Sequence, residues 1–130
     1  MLEPRDILNL YYTSLYSGDL GTVKELMTEE SYLMTLETFG LRLSLRDSEF
    51  KAQLKEIRED RDILKEVEKK LSLELVSRKL SPKIEIKSVL MNGAKRETIE
   101  YTEDEKNKKL YFSKEEEGWK INYYAGRKVG

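Results

Sequence analysis

The feature that most constrains this chain is a change of hydrophobic period near Pro82. Before it, apolar residues recur every three or four positions. After it they alternate, up to the closing stretch Gly118-Trp119-Lys120-Ile121-Asn122-Tyr123-Tyr124. Helical spacing followed by period-two alternation predicts one α+β domain in which a meander sheet packs against helices. With 130 residues the domain spans 1–130, with a helical part over 3–80 and a sheet part over 83–127. That length buries a real core without disulfides or metal.

Pro4 suits the first turn of a helix, where its missing N–H is not needed. Leu8, Tyr11, Tyr12 and Leu15 then follow at helical spacing, flanked by Ile7 and Tyr16, and Gly18 ends the run. Asp19 is placed to cap a short second helix through Leu20, Val23, Leu26 and Met27. Thr28 caps a third, carrying Tyr32, Leu33, Leu36 and Phe39, with Gly40 as its stop. Leu41-Arg42-Leu43-Ser44-Leu45 alternates like a short strand or extended connector.

From Asp47 to Leu80 the chain is helical and densely charged, with Phe50, Leu54, Ile57, Leu64, Val67, Leu71 and Leu75 in one stripe. Arg61 interrupts the stripe and marks a possible division into two helices. Ser81-Pro82 closes the segment, because the residue before a proline disfavours helix. In the sheet part, Asn92-Gly93 predicts a two-residue type I′ hairpin. Glu97, Ile99 and Tyr101 share one face of the returning strand. Residues 103–108 form a charged turn, and Leu110 and Phe112 share a face of the third strand, opposite Tyr111 and Ser113. In the fourth strand Trp119, Ile121 and Tyr123 alternate with Lys120, Asn122 and Tyr124.

Composition narrows the chemistry. Cysteine and histidine are both absent, which removes thiolate chemistry, the commonest general base and the commonest metal ligand. The acids lack calcium-loop spacing, so no metal site and no cofactor is expected. The 24 basic and 25 acidic residues are interspersed, so the basic face of a nucleic-acid binder is not expected. Met1-Leu2-Glu3-Pro4 lacks the apolar core of a signal peptide, and no apolar run has the length of a membrane span. A cytoplasmic chain without membrane attachment is the expectation.

The order of elements, with Tyr16-Ser17-Gly18-Asp19-Leu20 after the first helix, Leu26-Met27-Thr28 after the second and Gly118-Trp119-Lys120-Ile121 opening the last strand, resembles the nuclear transport factor 2-like superfamily. The resemblance covers nearly the whole chain, although the stretch 47–80 is longer than that pattern contains. It implies three helices in the hollow of a strongly curved antiparallel sheet, a cone with a pocket at its open end. The superfamily holds both enzymes and binding modules, so the fold alone does not assign an activity. Many of its members dimerise through their sheets, which implies a homodimer here. Tyr111 and Tyr124, on the face opposite Trp119, are the candidate interface residues.

Three functions are compatible with these residues. A non-catalytic domain would bind a small apolar or aromatic ligand or a protein, with Tyr12, Tyr16, Tyr32, Phe39, Tyr101, Trp119 and Tyr123 lining the pocket and Arg42 at its mouth; the favoured reading of the aromatic residues taken singly is core, and of Arg42 a surface ion pair. A lyase or isomerase would use Glu97 as base with Tyr101 and Tyr12 as hydroxyl donors; the favoured reading of Glu97 is a solvated strand-end residue. An adaptor would present the charged helix 47–80 to a partner. The first is the expected function.

Overall fold

The computed structural model describes residues 2–125, so the outer ends of the predicted 1–130 domain and of the 83–127 sheet part lie outside the described residues. Five helices precede four strands: α1 (Pro4–Tyr16), α2 (Leu20–Leu26), α3 (Glu29–Ser44), α4 (Ser48–Leu54), α5 (Arg61–Ser77), then β1 (Ile84–Met91), β2 (Arg96–Glu103), β3 (Lys106–Glu115) and β4 (Gly118–Ile121). The strands form one antiparallel sheet in sequential order β1-β2-β3-β4. The α+β division near Pro82 is therefore present as the periodicity predicts.

The predicted helix starts use their caps. Asp19 Oδ1 accepts the Thr22 N–H at 3.1 Å, and Thr28 Oγ1 accepts that of Ser31 at 3.4 Å. Gly18 follows α1 at φ +78°, in the left-handed region that ends helices. A Cβ there would lie 2.6 Å from Val76 Cγ2, so the bare backbone also seats α5 against the α1–α2 turn. Ser72 Oγ fastens that contact by donating to the Gly18 carbonyl at 2.6 Å.

Four local expectations are corrected. Gly40 does not stop α3, which runs on to Ser44. A Cβ at Gly40 would meet Leu54 Cδ2 at 3.0 Å and Phe50 Cε2 at 3.2 Å, so the glycine marks close approach of α4 rather than a helix end. The alternation over 41–45 is consequently helical, with Leu41 and Leu45 pointing to solvent. The stretch from Asp47 is two helices: Asp47 caps α4 through the Phe50 N–H at 2.9 Å, and Asp60 caps α5 through Asp62 and Ile63. Arg61, where the stripe falters, is the first residue of α5.

The hairpins hold the third correction. Asn92 and Gly93 belong to a four-residue connection, since β1 ends at Met91 and β2 begins at Arg96. Of the two only Gly93 takes a positive φ, +105°. The Asn92 amide instead donates to Thr98 Oγ1 at 2.9 Å. The two-residue turn with left-handed residues is Asp104-Glu105, at φ +49° and +70°, the signature of type I′. Asp104 is held there because its Oδ1 accepts the Lys83 N–H at 2.9 Å while its own N–H donates to the Lys83 carbonyl at 3.0 Å.

Register sets the sheet faces. Ile86 lies opposite Tyr101, Val89 opposite Ile99, Ile99 opposite Leu110 and Phe112 opposite Ile121. This row faces the helices, and Ile99, Phe112 and Ile121 are fully buried with Leu8, Leu15, Leu36, Leu71 and Leu75. Each such side chain contributes roughly 1.5–3 kcal/mol of transfer free energy. The register shifts between Ile86 and Ser88, a bulge that bends β1 at the sheet edge. β4 ends at Ile121, and the predicted continuation through Tyr123 is a turn. The reason is local: the Ile121 carbonyl is taken by the Thr28 N–H at 3.0 Å, and Met27 bridges Ile121.

Glu105 occupies a left-handed position without glycine's freedom. Glu105→Gly is expected to stabilise the domain by about 0.5–1 kcal/mol, read as a higher urea midpoint with an unchanged m-value. A lowered midpoint would contradict the turn assignment.

Candidate functional site

Where α1 lies over the sheet, tyrosines meet. The Tyr12 and Tyr101 hydroxyls are 2.6 Å apart, with both side chains almost wholly buried. Tyr11 reaches the Tyr123 hydroxyl at 3.4 Å, and Tyr123 in turn lies 3.0 Å from Thr35 Oγ1. The Tyr123 N–H donates to Ser31 Oγ at 3.0 Å, which fixes the turn after β4 against α3. Helical spacing brings Tyr11 and Tyr12 onto adjacent flanks of one helix, so a single helix supplies both links to the sheet side.

Burial raises three of these phenols, Tyr11, Tyr12 and Tyr101. It pushes the Tyr101 hydroxyl up to about 12, with Tyr12 acting in the opposite direction through their hydrogen bond. Tyr11 and Tyr12 rise well above the ordinary phenol value, chiefly through burial. At neutral pH the Tyr11, Tyr12 and Tyr101 hydroxyls are protonated and can only exchange hydrogen bonds. They provide no base.

Glu97 lies on the same face of β2 as Ile99 and Tyr101, as alternation requires. Partial burial raises its carboxyl, Glu3 raises it further and Arg5 lowers it. Those neighbours belong to the start of α1. Tyr101 is four residues further along β2, roughly 13 Å at the usual strand rise. A base and an oxyanion donor have to converge on one reacting atom at about 3 Å from each. Glu97 and the Tyr12–Tyr101 pair are held at different places along the sheet.

Beside the tyrosine cluster a groove of about 370 Å³ opens between α1 and the chain that enters β1. Asn9, Tyr12, Thr13, Tyr16 and Ser17 form its α1 wall, with Leu80, Ser81, Pro82 and Ile84 opposite. The Tyr12 and Tyr16 rings run nearly parallel, 21° apart with centroids at 6.5 Å. Phe39 packs against Tyr16 in a T-shaped arrangement, the ring centroids 6.1 Å apart. Tyr16 is half-buried, and burial, then Glu103, raises its hydroxyl against the opposing charge of Arg78.

Of the residues proposed from sequence, Tyr12 and Tyr16 meet at this groove, while Phe39 and Tyr101 stand behind it. The rest are elsewhere. The Tyr32 hydroxyl donates to Glu68 Oε2 at 2.5 Å, joining α3 to α5. Trp119 is almost buried on β4, with the Lys114 ammonium 5.9 Å from its ring centroid. Arg42 is exposed in the last turn of α3. The neighbouring Arg46 pairs with Glu74, and although burial opposes ionisation, Arg46 and Arg78 hold that carboxyl below its usual value. The groove residues absent from the sequence reading of the site are Asn9, Thr13, Ser17, Leu80, Ser81, Pro82 and Ile84. Ser81-Pro82 was visible only as a helix terminator, and its position opposite α1 depends on long-range packing.

Phe50, Leu54, Ile57, Val67, Leu71 and Leu75 from the stripe of the charged segment are buried in the core. On the sheet face away from the helices, Tyr111 is half-buried between Thr98 and the chain at Asn122, whose N–H donates to the Tyr111 carbonyl at 2.8 Å. Tyr124 lies in the turn after β4, its N–H donating to Asn122 Oδ1 at 3.0 Å. Among the described residues no group of acids has the arrangement of a metal site, and no helix is long and apolar enough to cross a membrane. Neither a family model, nor a curated protein, nor a solved structure matches this chain.

Tyr12→Phe should destabilise the protein by about 1–3 kcal/mol, because it strands the buried Tyr101 hydroxyl. Adding Tyr101→Phe should recover part of that loss in chemical denaturation. Independent, additive losses would contradict the hydroxyl pair.

Proposed function

We propose that this chain is a non-catalytic binding domain of the nuclear transport factor 2-like type, taking a small ligand at the groove between α1 and the 80–84 segment. The carrying observation is the double role of Tyr12: its ring forms part of the groove wall while its hydroxyl is held by Tyr101. The wall is thus pre-organised, and a ligand meets an aromatic surface whose ordering cost is already met by folding. The volume falls in the range of known ligand sites, roughly 300–1,000 Å³. Aromatic walls suit a ring-shaped ligand with an apolar face. The lyase or isomerase reading has less support, since Glu97 is remote from the hydroxyl pair. So has the adaptor reading, since the apolar stripe over 50–75 is used in the core.

Fragment screening by NMR with ring-labelled tyrosine tests this. Binders are expected to shift the Tyr16 and Tyr12 ring signals, and Tyr16→Ala to weaken them about tenfold, the loss of one stacking contact of roughly 1–1.5 kcal/mol. Hits that map instead to Trp119 or Tyr32 would overturn the assignment.

A homodimer through the outer sheet face is proposed with it. On that face Thr98, Thr102 and Ser113 are short side chains already buried, which leaves a flat centre beside Tyr111. Light scattering should give twice the 15.3 kDa chain mass, and Tyr111→Lys the single mass. A monomer at high concentration would contradict it.

A further inference from the structure

The composition of the groove wall narrows its ligand. The chain is 38% charged, yet none of the nine residues lining the groove carries a charge. The charged groups nearby, Lys79, Glu103 and Asp104, line a separate recess of about 180 Å³ that shares Tyr16 and the 80–82 segment with the groove. Two of the three already have partners there: Glu103 binds Lys108 at 2.7 Å, and Asp104 Oδ1 holds the Lys83 N–H. An ion entering the groove would give up water to a wall that carries no charge of its own and feels Glu103, Asp104 and Arg78 only from the side, which is costly.

Two hydroxyls of the α1 wall have a defined sense. Thr13 Oγ1 donates to the Asn9 carbonyl at 2.9 Å, and Ser17 Oγ donates to the Ser14 carbonyl at 3.0 Å. A carbonyl only accepts, so both hydroxyl protons are committed to the α1 backbone and their oxygens are left to act as acceptors. Asn9 gives one amide N–H to the Arg5 carbonyl at 3.2 Å and keeps Oδ1 as an acceptor. A purely apolar ring would cover these oxygens without replacing the hydrogen bonds they make to water. The complementary molecule is uncharged, has one apolar face for the Tyr12–Tyr16 wall, and carries hydroxyl donors along its edge.

We infer that the groove is a site for a neutral carbohydrate, one face of a sugar ring lying on Tyr16 while its hydroxyls donate to Thr13 Oγ1, Ser17 Oγ and Asn9 Oδ1. This rests on the groove reading above and adds the ligand class to it. A hydroxylated ring satisfies both halves of the wall at once, which neither an aromatic hydrocarbon nor an organic ion does.

The test titrates the full chain, with tyrosine rings labelled, against methyl glucoside, maltose, indole and tetramethylammonium. The expected result is saturable shifts of Tyr16 and of the Thr13 and Ser81 amides with a sugar. Thr13→Val removes the acceptor at an exposed helix position and should weaken sugar binding about fivefold, the worth of one hydrogen bond. Thr13→Ser, which keeps the oxygen, should restore it. Shifts with indole or tetramethylammonium alone would overturn the carbohydrate assignment while leaving a ligand groove. No shift at Tyr16 with any of the four would overturn both. Equal binding by Thr13→Val and the natural chain would overturn the assignment of the acceptor wall.

Discussion

The hydrogen bond between Tyr12 of α1 and Tyr101 of β2 is the contact on which the rest of the site depends. An aromatic ring on a helix can slide over a sheet with little loss of apolar contact. A hydroxyl held 2.6 Å from its partner in a water-poor interior cannot, because any slip strands two polar groups. The bond therefore fixes α1 both along the sheet and about its own axis. Tyr11 adds a second link on the neighbouring flank, through Tyr123 and Thr35. With α1 fixed, Tyr16 comes to lie one helical turn beyond Tyr12, against Phe39, and presents its ring beside Leu80 to Pro82.

The same network divides the tyrosines into two populations. Tyr11, Tyr12, Tyr101 and Tyr123 exchange hydrogen bonds among themselves and with Thr35, so the space between α1 and the sheet centre is occupied by the protein's own side chains. Tyr16 is left at the boundary. A chain with eight tyrosines and no histidine thus uses most of its hydroxyls as internal ties, and the groove outside them presents carbon faces and neutral oxygen acceptors. Of the two partly buried acids on the inner face of β2, Glu97 is set beside Glu3 and Arg5, and Glu103, which lies by the tyrosines, is paired with Lys108.

Much of the fold was legible because its signals are local. Asp19 and Thr28 cap the helices they precede, and the alternation in β2 and β3 places Ile99, Tyr101, Leu110 and Phe112 on one buried face. The errors arose where a local signal has two physical uses. Glycine both ends helices and admits close neighbours, and at Gly40 the approach of Phe50 and Leu54 decided the matter. Asn-Gly favours a tight turn, yet the Asn92 amide found Thr98, and the tight turn formed at Asp104-Glu105 because Lys83 holds Asp104 by two hydrogen bonds. At the site, Tyr12 and Tyr16 were readable from their spacing. The opposing wall at 80–84 was not, because it is brought there by the packing of α5, some sixty residues distant in sequence from α1.

The central claim is that the tyrosine interior is closed and that Tyr16 marks the accessible groove. Paramagnetic broadening of labelled tyrosine rings by a small neutral nitroxide dissolved in the buffer measures this directly. The account predicts strong broadening of Tyr16 with Tyr101 and Tyr11 protected, and Tyr12 between them. Equal broadening of Tyr16 and Tyr101 would mean that the interior is open, and would contradict it.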